Sequence, residues 1–141
     1  MKLLKAGLFC FLAMFLFYQL TYAQDWKTLR SAKVAWDAVT QDIDGNALPA
    51  TDTIKYEVIL SNQLDKEQTS ILWTGPETTT TITLTAEGKF YLGVRAVRFR
   101  ADEKIGQSEI SWSDDPEATG GTPFGLVYFI IPNKPTGVKL E

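Results

Sequence analysis

The sequence predicts an all-β fold built as a two-sheet sandwich. Three observations carry that reading. From residue 33 onward, short runs rich in β-branched and aromatic residues alternate apolar with polar side chains. Turn chemistry based on Gly, Pro, Asp and Asn separates these runs at regular spacing. Beyond the first 23 residues, no stretch carries a helical period. Strands with one apolar face must bury it, and two such sheets facing each other do so.

The first segment reads as a targeting sequence and not as part of the fold. Lys2 and Lys5 precede an apolar stretch over residues 6–17, and Thr21, Tyr22 and Ala23 follow. This is the pattern of a secretory signal helix, with cleavage expected after Ala23. A membrane-spanning helix wants about 20 apolar residues. The shorter stretch here argues against an uncleaved anchor, which would be the one route to membrane attachment. Cys10 follows Leu8 and Phe9 instead of the small residues a lipidation site needs, so it reads as a small hydrophobe removed with the signal.

Losing 23 of 141 residues leaves 118, enough for one domain and too few for two. Removing Lys2 and Lys5 from 14 basic side chains leaves 12 against 17 acidic ones, a net charge of −5. The processed chain has no histidine and no cysteine. Thiol catalysis, His/Cys zinc sites and disulfide stapling are excluded on residue type, and the acidic balance argues against nucleic-acid binding. Without histidine, a general base near neutral pH would have to be a carboxylate or lysine of shifted pKa. No Ser-x-x-Lys or glycine-flanked serine motif offers a nucleophile. The expectation is a protein that is not an enzyme and carries no cofactor.

The first strand is expected at 33–37 (KVAWD), with Val34 and Trp36 inward. A loop over 40–52 follows. Its DIDGN (42–46) has the alternating oxygens of a calcium loop, but aligning Gly45 to the turn position puts Thr40 and Thr51 where an aspartate and a glutamate are needed. A plain turn without metal is expected. The next strand is 54–61 (IKYEVILS), with Ile54, Tyr56, Val58 and Leu60 on one face. A turn at 62–68, a strand at 70–74, a break at Gly75 and Pro76, and a threonine-rich strand at 79–84 come next. The longest strand, 88–98, puts Phe90, Leu92, Val94 and Ala96 on one face and Tyr91, Gly93 and Arg95 on the other. Then come a charged loop at 99–107, a strand at 108–113 (SEISWS), a soft segment at 114–123 and an apolar run at 124–131. Trp36, Tyr56, Phe90 and Val94 are expected at the centre of the core.

These residues resemble a fibronectin type III domain. KVAWD is similar to the family's B strand, IKYEVIL (54–60) to its C strand, and TITLTAEGKFYLGVRAV (81–97) to its E strand, E–F corner and F strand. Leu84 matches the leucine before the corner, and Phe90 takes the place of the family's tyrosine. Phenylalanine has no hydroxyl to bond back to the corner, so packing or Gly88 must hold it. GQSEIS (106–111) resembles the turn into the G strand. The resemblance implies an immunoglobulin-like sandwich of the fibronectin type III kind over 32–114. Before it lie the signal (1–23) and a short lead (24–31) with strand A short or absent. A linker (115–123) and an extra C-terminal β segment and tail (124–141) follow. The whole chain is similar to small exported bacterial proteins of this type, which implies a secreted protein, periplasmic or extracellular.

The implied function is a non-catalytic structural or protein-binding module, whose partner is an extracellular or cell-surface protein or its own copies. The segment RFRADEKIG (98–106) is the first choice for protein contact, through Arg98, Arg100, Asp102 and Lys104; it contains no Arg-Gly-Asp sequence. NKPTGVKLE (133–141) is similar to the opening of such a domain, so Pro135, Val138 and Leu140 are candidates for strand exchange with a neighbouring copy. Exchange of that kind would make the chain a filament subunit. The alternative partner is carbohydrate, stacked on exposed Trp26, Trp73 or Trp112. Trp112 is also expected to stack with Arg95 on the neighbouring strand.

Overall fold

The computed structural model describes residues 24–62, 65–132 and 136. The signal segment and the exchange candidates Pro135, Val138 and Leu140 lie outside the described residues.

The described chain is all-β. Its strands are β1 (Asp25–Thr28), β2 (Ser31–Ala35), β3 (Asp52–Ser61), β4 (Thr69–Gly75), β5 (Thr79–Thr83), β6 (Gly88–Arg100), β7 (Glu103–Gln107), β8 (Ser111–Trp112) and β9 (Phe124–Tyr128). The larger sheet runs in the order β1-β9-β6-β3-β4, with β7 and β8 also paired to β6. β2 and β5 form a separate antiparallel pair that packs against it in a sandwich-like arrangement.

The alternation on β3 and β6 decides which face is inward. Val58, Phe90 and Leu92, with Leu126 of β9, meet Ile82 of β5 and Leu84 just beyond it, and all six are buried. Ala32 and Val34 of β2 pack on this cluster. Each large side chain removed from water contributes roughly 1.5–3 kcal/mol. At the corner, Phe90 is buried, and a Cβ on Gly88 would lie 3.3 Å from its ring. Gly88 has φ 149°, so the corner combines ring packing with a backbone conformation that favours glycine.

Three expectations need correction. Trp36 and Val94 are half-buried, not enclosed. β2 stops at Ala35, and a sheet of two strands is too narrow to cover the whole inner face of the larger one. The N-terminal lead, expected to hold a short strand or none, holds the four-residue β1, which pairs parallel with β9, Asp25 opposite Phe124. The charged segment 99–107 is mostly hairpin. β6 runs on to Arg100, and the turn residues Ala101 and Asp102 have φ 48° and 66°, the two positive values of a type I′ turn. The expected strand at 108–113 shrinks to the two residues of β8.

β6 organises the larger sheet. One of its edges pairs with β3 from Asp52 to Ser61. The other is covered by β7, β8 and β9 in succession. At the joints between these pieces, two serines complete the ladder. Ser108 donates its N–H to Ala96 O (2.8 Å) and accepts from Ala96 N through Oγ (3.0 Å). Buried Ser113 does the same for Leu92, at 2.7 and 3.1 Å, and its carbonyl accepts from Phe124 N (2.7 Å) to start β9.

Candidate functional site

The β6–β7 hairpin carries all four residues expected to contact protein, but they are not equally free. Arg98 and Arg100, two apart on β6, point to the same side and both engage Asp52 at the start of β3. Arg100 Nε donates to Asp52 Oδ1 at 2.8 Å and Nη2 to Oδ2 at 3.1 Å. The Asp52 side chain is fully covered, and the Arg100 hydrogen bond above all, with help from Arg98, holds its carboxyl down at about 2. The same pairing pushes the Arg100 guanidinium further up. The two arginines thus fasten the hairpin to β3, with Arg100 still half-exposed. Asp102 and Lys104 lie at the exposed tip, where Lys104 Nζ donates to Gln107 Oε1 at 2.7 Å.

The three tryptophans do not share one face. Trp73 is turned inward and meets Trp36, ring centroids 5.8 Å apart, while Trp36 meets Tyr56 at 5.6 Å. Trp26 and Trp112 lie on the outer face of the larger sheet, each over a glycine of the adjacent strand. A Cβ on Gly125 would stand 2.5 Å from the Trp26 ring, and one on Gly93 would stand 2.9 Å from Trp112 and 2.4 Å from Ile110. Tyr91 sits beside Trp26 at 5.6 Å, and its hydroxyl hydrogen-bonds Gln24 Oε1 at 3.1 Å. Lysines cover what the glycines leave: Lys89 Nζ is 5.0 Å from the Trp26 ring centre, and Lys66 Nζ is 5.3 Å from Trp112 and 5.4 Å from Tyr91. Lys66 is held there by Asp114 at 2.8 Å. The cation beside Trp112 is therefore Lys66. Arg95, expected in that place, is paired with Glu57 at 2.5 Å.

The DIDGN turn spends its carboxylate internally. Asp42 Oδ1 accepts from the backbone N–H groups of Asn46 (2.8 Å) and Asp44 (3.0 Å), and the Asn46 bond in particular lowers its pKa. Gly45, at φ 82°, makes the tight return possible.

Comparison with protein-family models, with curated proteins and with solved structures finds no match.

One feature was not foreseen from the sequence. Between β2 and the segment after β8 lies a cleft of about 730 Å³ that runs along β2 from Lys33 to Asp37. Val34, Trp36, Tyr56, Val94, Ala96 and Phe124 give it an apolar lining. The sequence reading placed Val34 and Trp36 as inward core positions on the strand at 33–37, and no local pattern marked them as the lining of an opening. Tyr56 also braces the cleft's end, where its hydroxyl accepts from Val39 N at 2.9 Å.

Proposed function

We propose that the chain is an exported, non-catalytic protein-binding module with a fibronectin type III-type sandwich. The segments similar to the family's B and E strands fall on β2 and β5, which pair with each other, and those similar to C, F and G share the facing sheet. The observation that carries the reading is a strand edge, that of β2, left without a strand partner among the described residues, beside an apolar cleft. Such edges take up further strands, and apolar troughs beside them select the side chains. The projecting hairpin tip adds a charged contact at Asp102 and Lys104. Carbohydrate binding has less support, because the glycine seats and lysines occupy the Trp26 and Trp112 faces that a sugar would need.

The test is to immobilise residues 24–141 and pass over them fractionated secreted and surface proteins, and separately a glycan array. Protein retention is expected. Asp102→Lys combined with Lys104→Glu is expected to weaken it about tenfold, the equivalent of about 1.4 kcal/mol. Retention of a polysaccharide that disappears when Trp26, Trp73 or Trp112 becomes alanine would replace this reading with carbohydrate binding.

A further inference from the structure

The register of β2 shows which of its backbone groups lack a ladder. Arg30 O accepts from Leu84 N (2.8 Å), and Trp36 N donates to Thr78 O (3.0 Å). In an antiparallel pair alternate residues face the partner. Ala32, Val34 and Trp36 therefore turn their backbone groups toward β5, and Ser31, Lys33 and Ala35 turn theirs to the opposite edge. β5 is the one strand paired with β2 among the described residues. The cleft lies along that open edge, from Lys33 to Asp37, and its floor is the inner face of β6 from Leu92 to Ala96. A strand of about five residues, roughly 16 Å long, would lie along it. The indole N–H of Trp36, in the same cleft, is buried without an acceptor among the described residues, although buried polar groups are as a rule paired.

The chain also carries a segment of matching character. After Tyr128, the residues Phe129, Ile130 and Ile131 are 53%, 67% and 85% exposed, an uncovered apolar run. It leads into 133–141, where Val138 and Leu140 flank Lys139 in strand alternation. This run leaves the sheet beside Gly88, which pairs with Tyr128, at the end where β2 begins: the Arg30 guanidinium is 5.9 Å from the Tyr128 ring. A tail that turned straight back at Pro132 into its own cleft would run parallel to β2. A tail from another molecule can enter antiparallel, the more stable pairing.

We infer that the cleft along β2 accepts residues 133–141 of a second copy, which add an antiparallel strand to β2 and place Val138 and Leu140 over Val34, Val94 and Ala96. This rests on the protein-binding reading above and names the partner as the chain itself. Donor and acceptor are different surfaces of one molecule, so the contact is heterologous and copies add head to tail, into a ring where the rotation between them closes and into an open chain where it does not.

Sedimentation of residues 24–141 over a concentration series tests it. The mass is expected to rise from one chain to two and beyond. Val138→Asp with Leu140→Asp spoils the tail outside the described fold. Ala35→Pro removes an open-edge donor and leaves the β5 ladder in place. Each variant is expected to stay at one chain, and an equimolar mixture of the two is expected to give a two-chain species and nothing larger, because one supplies the intact tail and the other the intact edge. A wild-type chain of single mass at every concentration overturns the inference, as does assembly that survives the tail changes, or a mixture that stays monomeric. If Ala35→Pro does not fold, a labelled peptide of sequence 133–141 titrated into the tail variant decides: saturable binding is expected, and none overturns it. A monomeric wild type that still retains a foreign protein through Asp102 and Lys104 removes self-pairing alone and leaves the module reading standing.

Discussion

Trp26 and Trp112 each close over a glycine across the strand boundary, and this pairing converts the outer face of the larger sheet into a second, smaller packed layer. Tyr91, Ile59, Val97 and Val127 are buried on that side although the sheet's main core lies opposite. A methyl group at Gly125 would collide with the Trp26 ring at 2.5 Å. Gly125→Ala should lower unfolding free energy by about 1–3 kcal/mol in denaturant titrations. Gly106→Ala, where nothing stands within 4 Å of the new methyl, should stay within about 0.5 kcal/mol. Asp52 yields a pH dependence of definite sign. Its pKa is lowered to about 2 in the folded protein from an ordinary 3.8, so the unfolded chain binds the proton more readily. The stabilisation is complete above about pH 4 and disappears as pH falls through about 2. Thermal unfolding followed from pH 5 to 2 should show a steep decline in midpoint that flattens in Asp52→Asn. A residual slope is expected from Asp42, also lowered.

The strands depend on β6 to different degrees. Its free edge is closed in three pieces, and a pieced edge has gaps where amide groups would otherwise go unpaired. Ser108 and Ser113 fill those gaps with side-chain oxygens. Ser113 is 5% exposed, so water cannot easily replace its hydroxyl. Ser113→Ala should cost about 1–3 kcal/mol and speed hydrogen exchange at the Leu92 amide. Ser108→Ala should cost less, because Ser108 is exposed and solvent can supply an acceptor. The alternation of β5 was readable because burial on one face imposes it, whereas β3 and β6 were readable from their β-branched and aromatic runs, since both also bury side chains such as Ile59 and Tyr91 on the second face. β7 was hidden: Glu103, Lys104 and Ile105 are all exposed, and a bulge opposite Arg98 and Phe99 leaves Ile105 without a partner. An exposed strand has no reason to alternate. β1, four residues long, has too few positions to display a period.

At the scale of the whole molecule, composition and strand pattern foretold two layers, but not which strands would leave their edges bare. The hairpin residues 98–104 were found as a group from charge alone, yet the commitment of Arg98 and Arg100 to Asp52 depends on a pairing 46 and 48 positions away. The seats under Trp26 and Trp112 escaped for the same reason, since each glycine is supplied by a distant strand. The cleft along β2 is a property of sheet width, which no local stretch records. The parallel β1–β9 pair links Asp25 to Phe124, the largest separation in sequence among the paired strands. Bringing such remote positions together carries a loop-closure cost that local hairpins escape. As the polypeptide emerges from its N-terminus, Trp26 therefore has no seat until residues near position 125 arrive. The first of the described strands to be made is thus among the last to be docked, and its indole must wait for almost the whole chain before it can leave water.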